Sequence, residues 1–308
     1  MKRFNYIIAI YLAACFLWTA CENKEEAIQP QEDPRSSYFQ PAPDATDPAS
    51  VLRRRFKDEE KSYLLFNDTL QHRSLGVDYH GDAQFFTETV NIGYRLGGSV
   101  EGTAIYNYGL FSSLQEKEAA VDFLKSYVLV DLVDVLRPYS WLLINDISYI
   151  DPLTGMPSTA SIIVGERCIA VGLTDLQYLS AQEKTDLGRQ ILATTVSVGA
   201  SKVEEVASRF FAISETLYGG RITPLPTTDA ANLTALNERG FIVQDWLIEG
   251  FWLNRGVIPG REKDLESYVK LVYNSTDEQV NTQYANYPLV RQKYNLLKTI
   301  FRELGYID

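Results

Sequence analysis

Two histidines and three cysteines in 308 residues limit the metal and nucleophilic chemistry open to this chain. His72, Asp78, His80 and Asp82 fall within eleven residues of one another. Asp78 and His80, at i and i+2, would share one face of a strand and point toward one ion. Gly76 and Gly81 punctuate the same stretch, so its simpler reading is a polar loop. Cys168 lies in the strand-like run Glu166-Arg167-Cys168-Ile169-Ala170-Val171. Neither histidine stands in a triad-like context, and this thiol reads as a small buried hydrophobe. Paired carboxylates occur at Glu204-Glu205 and at Asp264 and Glu266. Glycoside hydrolysis needs such a pair at a defined separation, which sequence does not supply. These pairs read as solvated helix faces.

A different chemistry is written at the N-terminus. Lys2 and Arg3 precede an apolar run from Tyr6 to Phe16, and Leu17-Trp18-Thr19-Ala20 leads into Cys21. Glu22-Asn23-Lys24-Glu25-Glu26 follows at once. This is the pattern of a bacterial secretory signal, residues 1–20, ending at a lipid-modified cysteine. The apolar run is shorter than the roughly 20 residues of a spanning helix. Leu12-Ala13-Ala14-Cys15 fits the usual lipobox spacing better, but cleavage there would leave Phe16-Leu17-Trp18 on the mature N-terminus. Cys21 opens directly into an acidic tether and is the preferred site, with Cys15 the alternative. A cleaved signal without lipid is the third reading. An acidic stretch after the acylated cysteine resembles the surface-export signal of one Gram-negative lineage. The expected address is therefore the outer membrane, lipid-anchored, at the cell surface.

The whole chain carries a net charge of −11. Losing residues 1–20 removes only Lys2 and Arg3, leaving 27 basic against 40 acidic side chains and a net charge of −13. That balance excludes nucleic-acid binding through a basic face. It also excludes electrostatic adsorption to anionic lipid, so an acyl anchor must supply the membrane link. A hydrophobic fraction of 45% with 19 tyrosines and 14 phenylalanines indicates a substantial core.

Residues 21–47 are polar and bear Pro30, Pro34, Pro41 and Pro43, the composition of a flexible tether. Asp47-Pro48 reads as an N-cap followed by proline at N1, which opens the domain of residues 48–308 with a helix to about Tyr63. Strands are predicted near 63–69, 85–96, 141–150, 160–164 and 168–172. An amphipathic helix is predicted from Gln115 to Leu136, stopped by Pro138. Ser180-Ala181-Gln182-Glu183 is a capping box that starts another, running toward Val198. The end of that helix, Thr194-Thr195-Val196-Ser197-Val198, is β-branched and by propensity alone would be a strand. Helices over 262–273 and 277–304 close the chain. Helix, then strands, then mostly helices is an α+β pattern.

Several blocks in this order carry a resemblance. They are Val51-Leu52-Arg53-Arg54-Arg55-Phe56, Ser62-Tyr63-Leu64-Leu65-Phe66, Phe123-Leu124-Lys125-Ser126-Tyr127 and Trp141-Leu142-Leu143-Ile144. Phe210-Phe211-Ala212-Ile213-Ser214 through Tyr218, Arg239-Gly240-Phe241-Ile242 and Lys263-Asp264-Leu265-Glu266-Ser267-Tyr268-Val269 continue it. Together, from Val51 to Asp308, the chain resembles the substrate import-associated zinc metallohydrolase lipoproteins, a family of zinc-binding metallopeptidase-like proteins. The resemblance implies a zincin-like α+β domain with a mixed sheet and packed helices. It also implies zinc as cofactor, and as partners a TonB-dependent outer-membrane transporter with its surface substrate-binding lipoprotein.

The family's zinc motif is HExxH, with two histidines on one helix face and a glutamate as general base on zinc-bound water. By alignment it falls on Thr194 to Val198: Thr194 and Val198 replace the histidines and Thr195 the glutamate. Ser267 stands where the family has a glutamate that is a candidate third ligand, and no histidine follows His80. The expectation is a degenerate, non-catalytic member with no metal and no catalytic residue. It would serve as an accessory or substrate-binding component of nutrient import. An active hydrolase with a relocated metal site and a purely structural subunit are the alternatives. By the same resemblance Tyr218, Trp246, Phe251 and Trp252 lie near the cleft and are candidate ligand contacts, with ordinary core packing as the competing role. Leu187, Ile191, Thr194 and Val198 share one helical face and are expected to form a packed stripe.

Lipidation is directly testable. Cys21→Ala, expressed with its signal, is expected to lose acylation and leave the membrane fraction. Acylation that survives Cys21→Ala but not Cys15→Ala would move the site to Cys15.

Overall fold

The computed structural model describes residues 38–90, 92, 106–151, 154–243 and 255–305. The signal peptide, Cys15, Cys21, and the candidates Trp246, Phe251 and Trp252 lie outside the described residues.

Asp47 caps the first helix, α1 (Pro48–Glu60), by accepting a bond from the Ser50 N–H, with proline in the first turn as the sequence predicts. The domain begins earlier than that cap. Phe39, within the stretch read as tether, is 2% exposed, and Arg53 donates to its carbonyl while Arg54 holds the carbonyls of Ala42 and Ala45. A run of proline and polar residues masked one aromatic anchor, so part of the stretch read as tether is held against α1 at Phe39, Ala42 and Ala45 while most of its side chains stay exposed.

Strands β1 (Tyr63–Leu65), β5 (Ser140–Ile144), β8 (Ile162–Val164) and β9 (Ile169–Gly172) form a mixed sheet in the order β1-β5-β9-β8. β1, β5 and β9 run parallel, and β8 closes one edge antiparallel to β9. Every residue of β5 and of β9 is buried, because the sheet is covered on both faces. Trp141, Leu143, Ile169 and Val171 face the helices. Leu142, Ile144 and Ala170 face a second, smaller cluster with Ile147 and Tyr108. That cluster belongs to the antiparallel sheet β4 (Tyr106–Gly109), β6 (Asp146–Ile150) and β7 (Pro157–Thr159). The predicted single strand 141–150 is thus two, β5 and β6, in different sheets. β2 (Thr69–Val77) and β3 (Ala83–Thr89) form a separate hairpin, largely exposed.

The helical side holds α2 (Leu114–Tyr127), α3 (Ala181–Ala200), α4 (Asp229–Asn237), α5 (Arg261–Asn274), α6 (Asp277–Gln283) and α7 (Pro288–Glu303). Both α2 and α3 begin with complete capping boxes, at Ser113/Glu116 and Ser180/Glu183. The predicted helices 115–136 and 277–304 are each shorter. The first ends at Tyr127 in 3-10 turns, and the second is split before Pro288, which cannot donate inside a helix. The β-branched run 194–198 is helical despite its propensity. Val196 is fully buried, and the Thr195 and Ser197 hydroxyls donate to the Ile191 and Ala193 carbonyls one turn back. The observed class is α+β, with mixed sheets and packed helices.

Close approach of α3 to the end of α2 requires a residue without Cβ. A Cβ on Gly188 would stand 2.7 Å from Tyr127 Cβ and 2.8 Å from its carbonyl oxygen. Gly188→Ala is expected to lower stability by about 1–3 kcal/mol through overpacking, despite alanine's better helix propensity. Chemical denaturation measures it; a variant as stable as the parent would show that the two helices can part freely.

Candidate functional site

Leu187, Ile191, Thr194 and Val198 do not form one packed stripe. Ile191 is fully buried and Leu187 packs against the core, but Thr194 and Val198 are only half-buried. Both line a cavity of about 510 Å³. The helix turns its Ile191–Val196 side to the sheet and its Thr194–Val198 side to open space. The stripe expectation fails because a 20-residue helix packed between a sheet and α5 leaves part of its circumference uncovered at the sheet edge.

Three elements build the cavity. From α3 and the turn after it come Thr194, Ser197, Val198, Ser201 and Lys202. The tight turn from β8 to β9 gives Val164, Gly165 and Glu166, and α5 gives Glu262 and Glu266, one helical turn apart on one face. Ser267 is not among the lining residues; its hydroxyl donates to the Asp264 carbonyl. The acidic side chains that α5 brings to the cavity beside Thr194 and Val198 are therefore Glu262 and Glu266, not residue 267. Burial pushes the Glu266 carboxyl up, but bonds from Lys270 at 2.5 Å and Lys263 at 3.2 Å outweigh that and hold it below the usual range.

These residues do not fit zinc. Thr195 is 1% exposed with its hydroxyl committed to Ile191, Val198 has no donor atom, and Glu266 is engaged by two lysines. Among the described residues no three His, Cys, Asp or Glu side chains are grouped to hold a metal. The upstream candidates sit in the exposed hairpin. Asp78 accepts the backbone N–H groups of His80 and Asp82 in its turn, while His72 stacks on Phe85 and bonds Thr87. Cys168 is 2% exposed, and burial raises its thiol pKa to about 12, so it is no nucleophile.

Behind α5 lies a buried ion pair that sequence reasoning missed. Asp264, grouped above with solvated carboxylates, is fully buried, as is Lys293 of α7. Lys293 Nζ meets Asp264 Oδ2 at 2.5 Å and lies 4.7 Å from the ring centres of Phe210 and Phe241 and 4.8 Å from that of Tyr268. The rings' negative faces and the carboxylate replace the water that the ammonium has lost. Burial pushes the Asp264 carboxyl up and the Lys293 amine down, and their mutual contact opposes both shifts. Tyr218, a candidate ligand contact, instead donates to Asp264 Oδ2 at 2.7 Å and is absent from the cavity lining. The signal was legible in α7: Lys293 interrupts the stripe Val290, Tyr294, Leu297, Ile300, Phe301, so it had to find a buried partner.

No protein-family description, curated protein or solved structure matches the chain. The site is therefore read from its own geometry.

Two stability contrasts follow. Val198→Ala is expected to cost well under about 1 kcal/mol, against about 2–5 kcal/mol for Ile191→Ala in the packed core. Asp264→Ala strands the Lys293 charge and should cost about 3–5 kcal/mol. Denaturant midpoints decide both, and a large Val198→Ala penalty would restore the packed stripe.

Proposed function

We propose that this chain is a zincin-like lipoprotein that has kept a metallopeptidase's cleft and lost its chemistry. It binds an extended peptide segment there without cleaving it. The observation that carries this reading is the position of Thr194 and Val198. Where the family resemblance puts two zinc-binding histidines, these side chains line a cavity about 510 Å³ in volume instead of disappearing into the core. An abandoned site with no remaining use would be free to fill with larger apolar residues; this one is lined by Thr194, Ser197 and Ser201.

The neighbouring strand favours a peptide over a glycan. Among the described residues β8 is the last strand of its sheet, paired only with β9. Bonds from Gly165 N–H to the Cys168 carbonyl and from Gly172 N–H to the Ser161 carbonyl fix the pairing phase. Ile162 and Val164 consequently turn their N–H and C=O groups away from β9. Among the described residues no backbone group pairs with them. An extended segment laid along that edge would gain main-chain hydrogen bonds, while its side chains reach the cavity at Val164. In the cell, the proposed setting is the outer surface of the outer membrane, as an accessory to a TonB-dependent transporter and its surface substrate-binding lipoprotein.

The test uses the mature chain from Cys21→Ala. Val198→Trp should fill the cavity and abolish binding of a fluorescein-labelled alanine-rich pentapeptide, with little change in thermal midpoint. After dialysis the wild type is expected to hold no stoichiometric zinc and to leave a broad peptide library uncut. One tightly held zinc per chain, or chelator-sensitive cleavage, would replace this reading with an active hydrolase.

A further inference from the structure

The β2–β3 hairpin is the element least supported by the rest of the fold. Among the described residues it forms a sheet of two strands, exposed along most of both. Leu70 and Val90 root its base in the smaller core cluster. Its register sets Ser74 opposite Phe85 and Val77 opposite Ala83 on one face, and Arg73 opposite Phe86 on the other. Phe85 is 55% exposed and Phe86 39%, with Leu75 and Val77 exposed on the facing strand. Their ring contacts are slight: His72 stacks on Phe85 at 4.9 Å, and the Arg73 guanidinium lies 5.2 Å from the Phe86 ring centre. A lone two-stranded hairpin is marginal in water, and further strands make it stable.

The two edges of the hairpin differ. β2 is interrupted by register shifts at Thr69/Gln71 and Ser74/Gly76, with the extra residue in β2 each time, and it carries Arg73. Bulges and cations are what blunt an edge strand. β3 has no proline, no bulge and no basic residue, and it is uncharged from Ala83 to Thr87. Among the described residues no backbone group pairs with its outer edge. Turned about a twofold axis at Phe86, β3 complements itself. Phe86 would meet Phe86 of the partner subunit, Phe85 would meet Thr87 of the partner subunit, and Gln84 would meet Glu88 of the partner subunit. Aromatic pairs and aromatic–β-branched pairs are favourable across strands, and the Gln amide can donate to the Glu carboxylate. An axis at Phe85 would oppose the like charges of Asp82 and Glu88, and an axis at Thr87 would set Phe86 against Glu88. We infer that two copies of this chain associate through β3, antiparallel about Phe86, joining two hairpins into one four-stranded sheet. No hairpin residue lines the cleft, so the two surfaces are separate. Each copy carries a net charge of −11, and a seven-residue edge buries less than the roughly 800 Å² per partner of a standard interface. The dimer is therefore weak, with a dissociation constant of about 10–100 μM, and salt strengthens it by screening the repulsion.

Sedimentation velocity of residues 21–308 with Cys21→Ala, from about 1 to 300 μM, is expected to show that monomer–dimer equilibrium, tighter at high salt. At low salt Gln84→Glu, which sets a like charge against Glu88 of the partner subunit, should weaken it about fivefold, and Gln84→Lys should tighten it by a similar factor. Gln84 is exposed, so folding should survive, and thermal unfolding verifies it. Mild oxidation reads the register. Phe86→Cys places two thiols face to face on the axis, whereas Gln84→Cys holds them about 13 Å apart along the strands, so the first should form the linked dimer much faster. Protein that stays monomeric to about 300 μM overturns the proposal. So does a dimer indifferent to the charge at position 84, or one in which Phe86→Cys links no faster than Gln84→Cys. Monomer that instead binds phosphatidylglycerol vesicles, and loses them on Phe85→Ser, would give the hairpin to a lipid surface and overturn the dimer as well.

Discussion

A positive charge buried at the centre of the helical layer constrains the rest of this fold. Lys293 has no exposed surface, so its ammonium must be matched inside the protein or neutralised. It is matched by Asp264 from α5 and enclosed by three aromatic rings, Tyr268 of the same helix and Phe210 and Phe241 from two other stretches of chain. Ionic and ring contacts of this kind have a narrow range of good geometries. Satisfying them fixes the rotation of α5 about its own axis. With Asp264 turned inward, Glu262 and Glu266, two residues before and after it, turn toward α3. The charge at the core thus sets which carboxylates face the cleft.

On the other wall, α3 is held by different means. Its capping box fixes the start, Gly188 permits close contact with α2, and Ile191 and Val196 anchor one side in the core. That leaves the Thr194–Val198 side beside the β8–β9 turn, lining the cavity. A helix pinned on one face and open on the other is what a binding cleft requires. The α3 groups on that side are hydroxyls and a valine methyl surface.

Much of the scaffold was readable from the sequence because its signals were local. Asp47-Pro48 and Ser180 through Glu183 named their helix starts, and the apolar run Trp141 to Ile144 named a buried strand. What escaped depended on partners distant in the chain. Asp264 looked like any helical carboxylate until Lys293, 29 residues later, was brought against it. Phe39 looked like tether until Arg53 took its carbonyl. Val198 matched a buried stripe by period, but periodicity does not say which part of a helix's circumference its neighbours leave uncovered. Ungapped alignment pointed to Ser267, while helix rotation presents Glu266.

The central claim is that the face of α3 at Thr194 and Val198 is an open ligand-binding wall. Thiol labelling of Val198→Cys tests it most directly, since residues 21–308 with Cys21→Ala hold one other cysteine, the buried Cys168. The account predicts rapid reaction of the Val198→Cys thiol with iodoacetamide in the folded protein, slowed by a saturating alanine-rich pentapeptide. Labelling as slow as that of Cys168, with or without peptide, would contradict it and return this helix face to the core.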